Sequence, residues 1–310
     1  VLETFVAQVA RCATVNQMQR LIISLEMILA PGEVARLAAD VRARGIGLPD
    51  VVAKWLDRME ELIRRDGAEP ENYVRQSLTE GATFYAAPGA PAERAARTLV
   101  LAFTGDAHRL MMPIALFLQN CPASRYELLV AYDAAHAFYL RGIPGLGDTL
   151  PATLARLAAM VPPSRYRRAV SFGTSAGGLA AVWAAVALGL DRGVSVGGVT
   201  PSEVERRVQT QDLSTDEFDA AIRRCEGRLP QVLLVHGEGA ERDTRKAHEM
   251  SEIVPAQRIA VPGCMDHNVL YELWKRHELR ALLDRALGDG AAAAAPGPDG
   301  PSSGSPPGPV

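Results

Sequence analysis

Cysteine is scarce in this 310-residue chain, and its four copies stand far apart. Cys12, Cys121, Cys225 and Cys264 form no C-x-x-C pair. That spacing argues against a metal site and a disulfide framework, and it fits a reducing cytoplasm. No metal and no organic cofactor is expected. Long apolar runs are missing too. The most apolar N-terminal run, Leu21–Ala30, has ten residues and contains Glu26, too short to span a bilayer. A basic stretch leading into an apolar core and a small-residue cleavage site is absent. The chain begins at Val1 rather than Met, which leaves a removed segment open. An excess of one charge sign is also lacking: the formal net charge is −3. The doublets Arg167-Arg168, Arg206-Arg207 and Arg223-Arg224 are isolated, so nucleic acid is not an expected partner.

What is present is apolar bulk. Apolar residues make up 48% of the chain, enough for one large core with a smaller appended unit. Residues 1–81 read as a helical N-terminal region. Val51, Val52, Trp55, Leu56, Met59, Leu62 and Ile63 form one stripe at helical spacing, with Asp50 as a cap. Further helices are predicted from about Glu33 to Arg44, stopping at Gly45, and over Glu71–Thr79, ending at Gly81. Their stripes need a surface, and the main domain, each other or a second subunit would serve. Dimerisation or partner docking through these helices therefore stays open.

From residue 82 to 287 the texture alternates. β-rich runs are predicted at Thr98–Thr104, Tyr126–Tyr132, Ala169–Phe172, Val194–Thr200, Val232–Val235 and Arg258–Val261. Helices are predicted between and after them, over Met112–Gln119, Leu150–Met160, Ala176–Leu190, Thr215–Cys225, Arg242–Ile253 and Val269–Leu287. Apolar strands separated by helices imply an α/β fold, a doubly wound, mostly parallel sheet covered on both faces. Thr83–Ala86 is expected as an antiparallel edge strand. The segment Pro201–Leu229 is expected to form a small helical lid, with Leu213 and Phe218 over the site. Residues 288–310, rich in Ala, Gly, Pro and Ser, are expected to be disordered because they lack apolar side chains to offset their ordering entropy.

One stretch carries the chemistry. Ala169–Phe172 runs into Gly173-x-Ser175-x-Gly177, and a helix follows at once. A serine held on such a strand-to-helix turn stands out of the sheet at the helix's positive end. The two glycines are required because the residues on either side of the serine approach each other too closely for a β-carbon.

A serine hydroxyl is a weak nucleophile and needs a base, and the base needs an orienting acid. On a doubly wound sheet these come from loops at the carboxyl ends of later strands. His267 follows the last predicted strand and opens a helix, which makes it the candidate base. The acid is sought in the loop after Val232–Val235. Asp243 is the first choice, Glu241 and Glu238 are alternatives, and Glu203 is a more distant one. Two amides must bind the oxyanion. One is assigned to Ala176, directly after the nucleophile, and the other to the Gly105-Asp106 loop, with Gly105 as the donor. The Asp106 side chain must then point away from the developing charge. His108 and His136 lie in loops at the same strand ends and read as substrate contacts or bystanders, while His236 reads as a structural strand end.

The stretches SFGTSAGG, HGEGAERD and PGCMDHNV, in the order serine, acid, histidine, resemble the α/β-hydrolase superfamily over roughly residues 82–287. The resemblance implies a serine hydrolase or acyltransferase acting on an ester or thioester, whether small or carrier-bound, through an acyl-enzyme on Ser175. The oxyanion loop departs from it, reading Phe-Thr-Gly-Asp rather than His-Gly-Gly-Gly, and residues 1–80 have no counterpart in the minimal fold. Gly-Thr-Ser-Ala-Gly is also similar to a patatin-like lipase motif. That family pairs its serine with an aspartate and carries a glycine-rich oxyanion loop upstream, which is missing here, and the D-G-A at Asp289–Ala291 falls in the tail. A non-catalytic protein of the same fold, used for partner binding or assembly, is the reading from another class.

Overall fold

The computed structural model describes residues 1–89, 91–209, 213–225 and 227–288. The predicted disordered tail beyond Gly288, with its Asp289–Ala291 segment, lies outside the described residues. Helices α1 (Leu2–Ala10), α2 (Val15–Ile28), α3 (Pro31–Ala43) and α4 (Asp50–Ile63) open the chain. The strands are β1 (Val74–Thr79), β2 (Ala82–Ala86), β3 (Thr98–Phe103), β4 (Tyr126–Ala131), β5 (Arg168–Thr174), β6 (Arg192–Val196), β7 (Gln231–Gly237) and β8 (Ala256–Val261). Among the described residues they form one sheet in the order β1-β2-β4-β3-β5-β6-β7-β8. β2 runs antiparallel to both neighbours, and every other pairing is parallel.

Helices cover both faces, as near-continuous apolar strands require. One face holds α6 (Leu150–Met160), α7 (Gly177–Leu188), α9 (Asp216–Arg224) and α10 (Glu241–Ile253) against Leu99, Leu101 and Phe103. The other holds α5 (Ile114–Gln119), α11 (Val269–Lys275) and α12 (Leu279–Leu287) against Val100, Ala102 and Phe172. Helices α2, α3 and α4 pack on this second face over α5. The N-terminal stripes thus meet the main body: Val52, Leu56, Met59 and Ile63 are all buried. Three polar ties reinforce this docking. Arg75 on β1 pairs with buried Glu33 at 2.9 Å, and the Tyr85 and Tyr132 hydroxyls donate to the Ile28 and Met27 carbonyls at 2.8 and 2.7 Å.

Several sequence expectations fail, and the helix expected over Val269–Leu287 breaks into α11 and α12. Glu71–Thr79, expected as helix, holds strand β1, which turns at Glu80-Gly81 and pairs with β2. Pairing with a neighbouring strand outweighs the helical preference of Arg, Gln and Leu, which is small per residue. The Thr83–Ala86 run is antiparallel as expected, yet β1 covers it and takes the edge. Asp50 does not cap α4: Pro49 is the N-cap, with no side-chain bond, and Asp50 sits in the first turn. Phe218 lies over no site. It is fully buried, with its ring centroid 5.5 Å from that of Trp183 on α7, because burying an aromatic ring against the sheet's helical cover removes more apolar surface from water. Residues 210–212 and 226 of the expected lid lie outside the described residues, and Leu213 is only partly buried, against the same cluster.

Candidate active site

Strand β5 ends at Thr174, and Ser175 follows with φ of 50°. This left-handed conformation is unfavourable for a residue bearing a β-carbon. The surroundings enforce it. The Ser175 amide donates to the Val196 carbonyl at 2.9 Å, and its carbonyl accepts from Gly178 at 3.0 Å and Val199 at 3.2 Å. The flanking glycines are sterically required: a β-carbon on Gly173 would lie 2.1 Å from the Gly177 carbonyl oxygen, and one on Gly177 would lie 2.3 Å from that of Phe103. Helix α7 starts two residues later, at Gly177, so the serine sits at its positive N-terminal end. The hydroxyl of Ser175 has no hydrogen-bond partner among the described residues.

His267 follows β8 in the loop before α11. Its Nδ1 lies 2.6 Å from Oδ2 of Asp243. Asp243 sits in the first turn of α10, where a carboxylate is favoured by the helix dipole, and is only 4% exposed. Its second oxygen lies 3.3 Å from Lys246 Nζ. Burial pushes the Asp243 carboxyl upward, but the hydrogen bond and charge of His267 and the ammonium of Lys246 outweigh it, so the group is held below the usual aspartate value. Of the three competing carboxylates, Asp243 therefore meets His267. Glu238 accepts from the Gly263 amide at 2.9 Å and ties together the loops after β7 and β8. Glu241 is exposed at the start of α10.

Ser175, Ala176, His267 and Asp243 line one open cavity of about 470 Å³, with Asp106, Arg207 and Met265 on its walls. Among the described residues the amides of Ala176 and Asp106 have no acceptor. The Gly105 amide does not fit its assigned role, because it donates to the Arg109 carbonyl at 3.1 Å. Gly105 instead gives the loop its close approach: a β-carbon there would lie 3.1 Å from Cβ of Ser175. Among the loop's amides without an acceptor, that of Asp106, one residue later, belongs to a residue lining the cavity.

A reversed β2 in a sheet of order 1-2-4-3-5-6-7-8, a strained serine after β5, an acid after β7 and a histidine after β8 decide the architecture. The chain has the α/β-hydrolase fold. Esterase B from Lactobacillus rhamnosis is similar in structure at 15% identity, with 80% of this chain and 98% of that chain covered and a TM-score of 0.41. An S-formylglutathione hydrolase from Staphylococcus aureus is similar at 12% identity, with 68% and 97% covered and a TM-score of 0.46. A dienelactone hydrolase from Anabaena variabilis is similar at 17% identity, with 70% and 98% covered and a TM-score of 0.41. No protein-family profile and no curated protein sequence matches the chain.

Within this α/β-hydrolase fold, several residues near the site escaped the sequence reading. Lys246 is buried and bridges Asp243 to Glu203, 3.3 Å from each. Its spacing of three from Asp243 places both on one face of α10. Glu203, a distant alternative for the acid, caps this network from α8 (Pro201–Val208), where it pairs with Arg207 and Arg242. Burial opposes its ionisation, but Lys246, Arg207 and Arg242 hold it below the usual glutamate value. Gly197, with φ of 55°, leaves room for the His267 ring: a β-carbon would lie 3.0 Å from Cε1. His108 and His136 stack with centroids 5.0 Å apart beside the site rather than in it. His236 is buried at the end of β7, with Thr244 Oγ1 3.1 Å from its Nδ1. Among the described residues no group of His, Cys, Asp and Glu is arranged to hold a metal, and no helix is long and apolar enough to cross a membrane.

Proposed function

We propose that this chain is a serine hydrolase or acyltransferase that acts on an ester or thioester through an acyl-enzyme on Ser175. The observation that carries the reading is the 2.6 Å contact between His267 and buried Asp243, in a cavity that also exposes Ser175. Asp243 fixes the imidazole with Nδ1 as donor, which leaves Nε2 as the base. The Ser175 hydroxyl attacks the carbonyl carbon, and its proton passes to Nε2. The carbonyl oxygen becomes an oxyanion, received by the amides of Ala176 and Asp106. Collapse expels the alcohol or thiol, which takes the proton from His267. Water or another acyl acceptor then repeats the sequence in reverse and frees Ser175. A cavity of about 470 Å³ suits a small ligand or one end of a longer one.

Labelling with a fluorophosphonate probe tests the reading. The wild type is expected to label on Ser175, Ser175→Ala is expected not to, and Ser175→Ala should lose at least about 10³-fold in turnover of p-nitrophenyl esters. A wild type that neither labels nor turns over any acyl ester would return the fold to binding or assembly.

A further inference from the structure

We infer that Glu26, on helix α2 of the N-terminal layer, is a positioning residue for the oxyanion-binding loop and acts through Arg109. The inference rests on the proposed role of Ser175. Arg109 lies in the turn between β3 and α5, three residues beyond Asp106. Its carbonyl accepts from the Gly105 amide at 3.1 Å and from the Thr174 hydroxyl at 3.3 Å. Thr174 immediately precedes the nucleophile. One carbonyl thus joins the loop that presents the Asp106 amide to the strand that presents Ser175. The His108 amide closes the same turn onto the Gly105 carbonyl at 2.8 Å.

The other end of Arg109 reaches across the molecule. Its guanidinium forms an ion pair with Glu26, with the two side chains 31% and 14% exposed. The second oxygen of Glu26 accepts from the Trp55 indole on α4 at 3.1 Å. Helix α2 is itself anchored, because the carbonyls of Met27 and Ile28 receive the Tyr132 and Tyr85 hydroxyls. Glu26 is therefore a fixed post outside the minimal fold, and Arg109 is the strut between it and the loop.

The loop needs a strut. His108 and Met111 adopt φ of 53° and 60°, conformations that persist only where surrounding contacts over-determine them. The Arg109 Nε is already buried without a hydrogen-bond partner. Removing the carboxylate leaves a partly buried cation with little else to hold it. The loop then relaxes and the Asp106 amide shifts. Oxyanion donors act on charge that develops in the transition state, so the loss falls on kcat and leaves substrate binding unchanged.

The test uses the full chain with p-nitrophenyl butyrate as substrate and phenylboronic acid as the tetrahedral probe. In Glu26→Gln, kcat is expected to fall about tenfold, KM to stay within about twofold, and boronate affinity to fall in parallel with kcat. In an Arg109→Gln background Glu26→Gln is expected to add nothing. If Glu26→Gln is too unstable to purify folded, Trp55→Phe removes one tether of Glu26 and should show the same split at smaller amplitude. A merely structural role would lower the melting temperature with kcat and boronate affinity unchanged, and that result overturns the inference. Additive effects of Glu26→Gln and Arg109→Gln overturn it as well. A wild type that neither labels with fluorophosphonate nor hydrolyses the ester overturns the nucleophile reading and this inference with it. An active wild type with an unaltered Glu26→Gln overturns this inference alone.

Discussion

Nδ1 of His267 lies 2.6 Å from Oδ2 of Asp243. One residue comes from the loop after the last strand and the other from the first turn of α10, 24 positions earlier. The pair faces the same cavity as a serine held in a left-handed backbone conformation.

Asp243→Asn tests the pair from the acid side. The amide keeps the shape but no longer fixes the imidazole tautomer, so kcat should fall by about 10³- to 10⁴-fold while the fold survives. Glu241→Gln and Glu238→Gln should keep near-normal turnover. Circular dichroism separates loss of chemistry from loss of structure.

Acid titration tests the electrostatics. Asp243 is held below its ordinary value despite burial, so its ionised form stabilises the folded state. That contribution is full above the unfolded aspartate value of about 4 and is lost as pH falls through the lower folded value. The stability difference between wild type and Asp243→Asn should therefore be largest near neutrality and shrink below about pH 4. Urea unfolding across that range measures it. A difference that stays constant into strong acid would contradict the assignment.

How much of this was legible in the sequence depends on how local each cause is. The elbow was readable because Gly173 meets Gly177 within five residues of chain, although the crowding at Gly177 itself comes from Phe103 on β3. The parallel strands were readable because burial on both faces removes polar alternation. β1 was not, since its strand character comes from pairing with β2 rather than from its own residues. The acid was ambiguous because three carboxylates share one loop, and the choice turns on where α10 starts. Phe218 was misplaced because its partner, Trp183, lies far away in sequence. Gly105 was a reasonable donor from its position alone, and only the turn onto Arg109 shows that its amide is occupied. The bond between Glu26 and Arg109, 83 residues apart, has no local signature at all.

The elbow glycines make a steric prediction. A β-carbon at Gly173 or Gly177 would lie 2.1 or 2.3 Å from backbone oxygen, and backbone yields less readily than a side-chain tip. Gly173→Ala and Gly177→Ala should each destabilise the protein by about 3 kcal/mol or more. Thermal unfolding reads this directly, and a melting temperature within a degree or two of wild type would contradict the geometry.

Lys246 makes an electrostatic one. Lys246→Met leaves the buried carboxylates of Asp243 and Glu203 without the ammonium between them. Breaking a buried ion pair by removing one partner costs about 3–5 kcal/mol. The variant Lys246→Met/Glu203→Gln, which removes charge from both sides, should recover part of that loss in chemical denaturation.

The most direct test of the central claim is covalent labelling by a fluorophosphonate, read by mass spectrometry of the modified peptide. One adduct is expected, on Ser175, absent in Ser175→Ala and formed orders of magnitude more slowly in His267→Ala. A wild-type protein that stays unlabelled, or an adduct on another residue that survives Ser175→Ala, would contradict it.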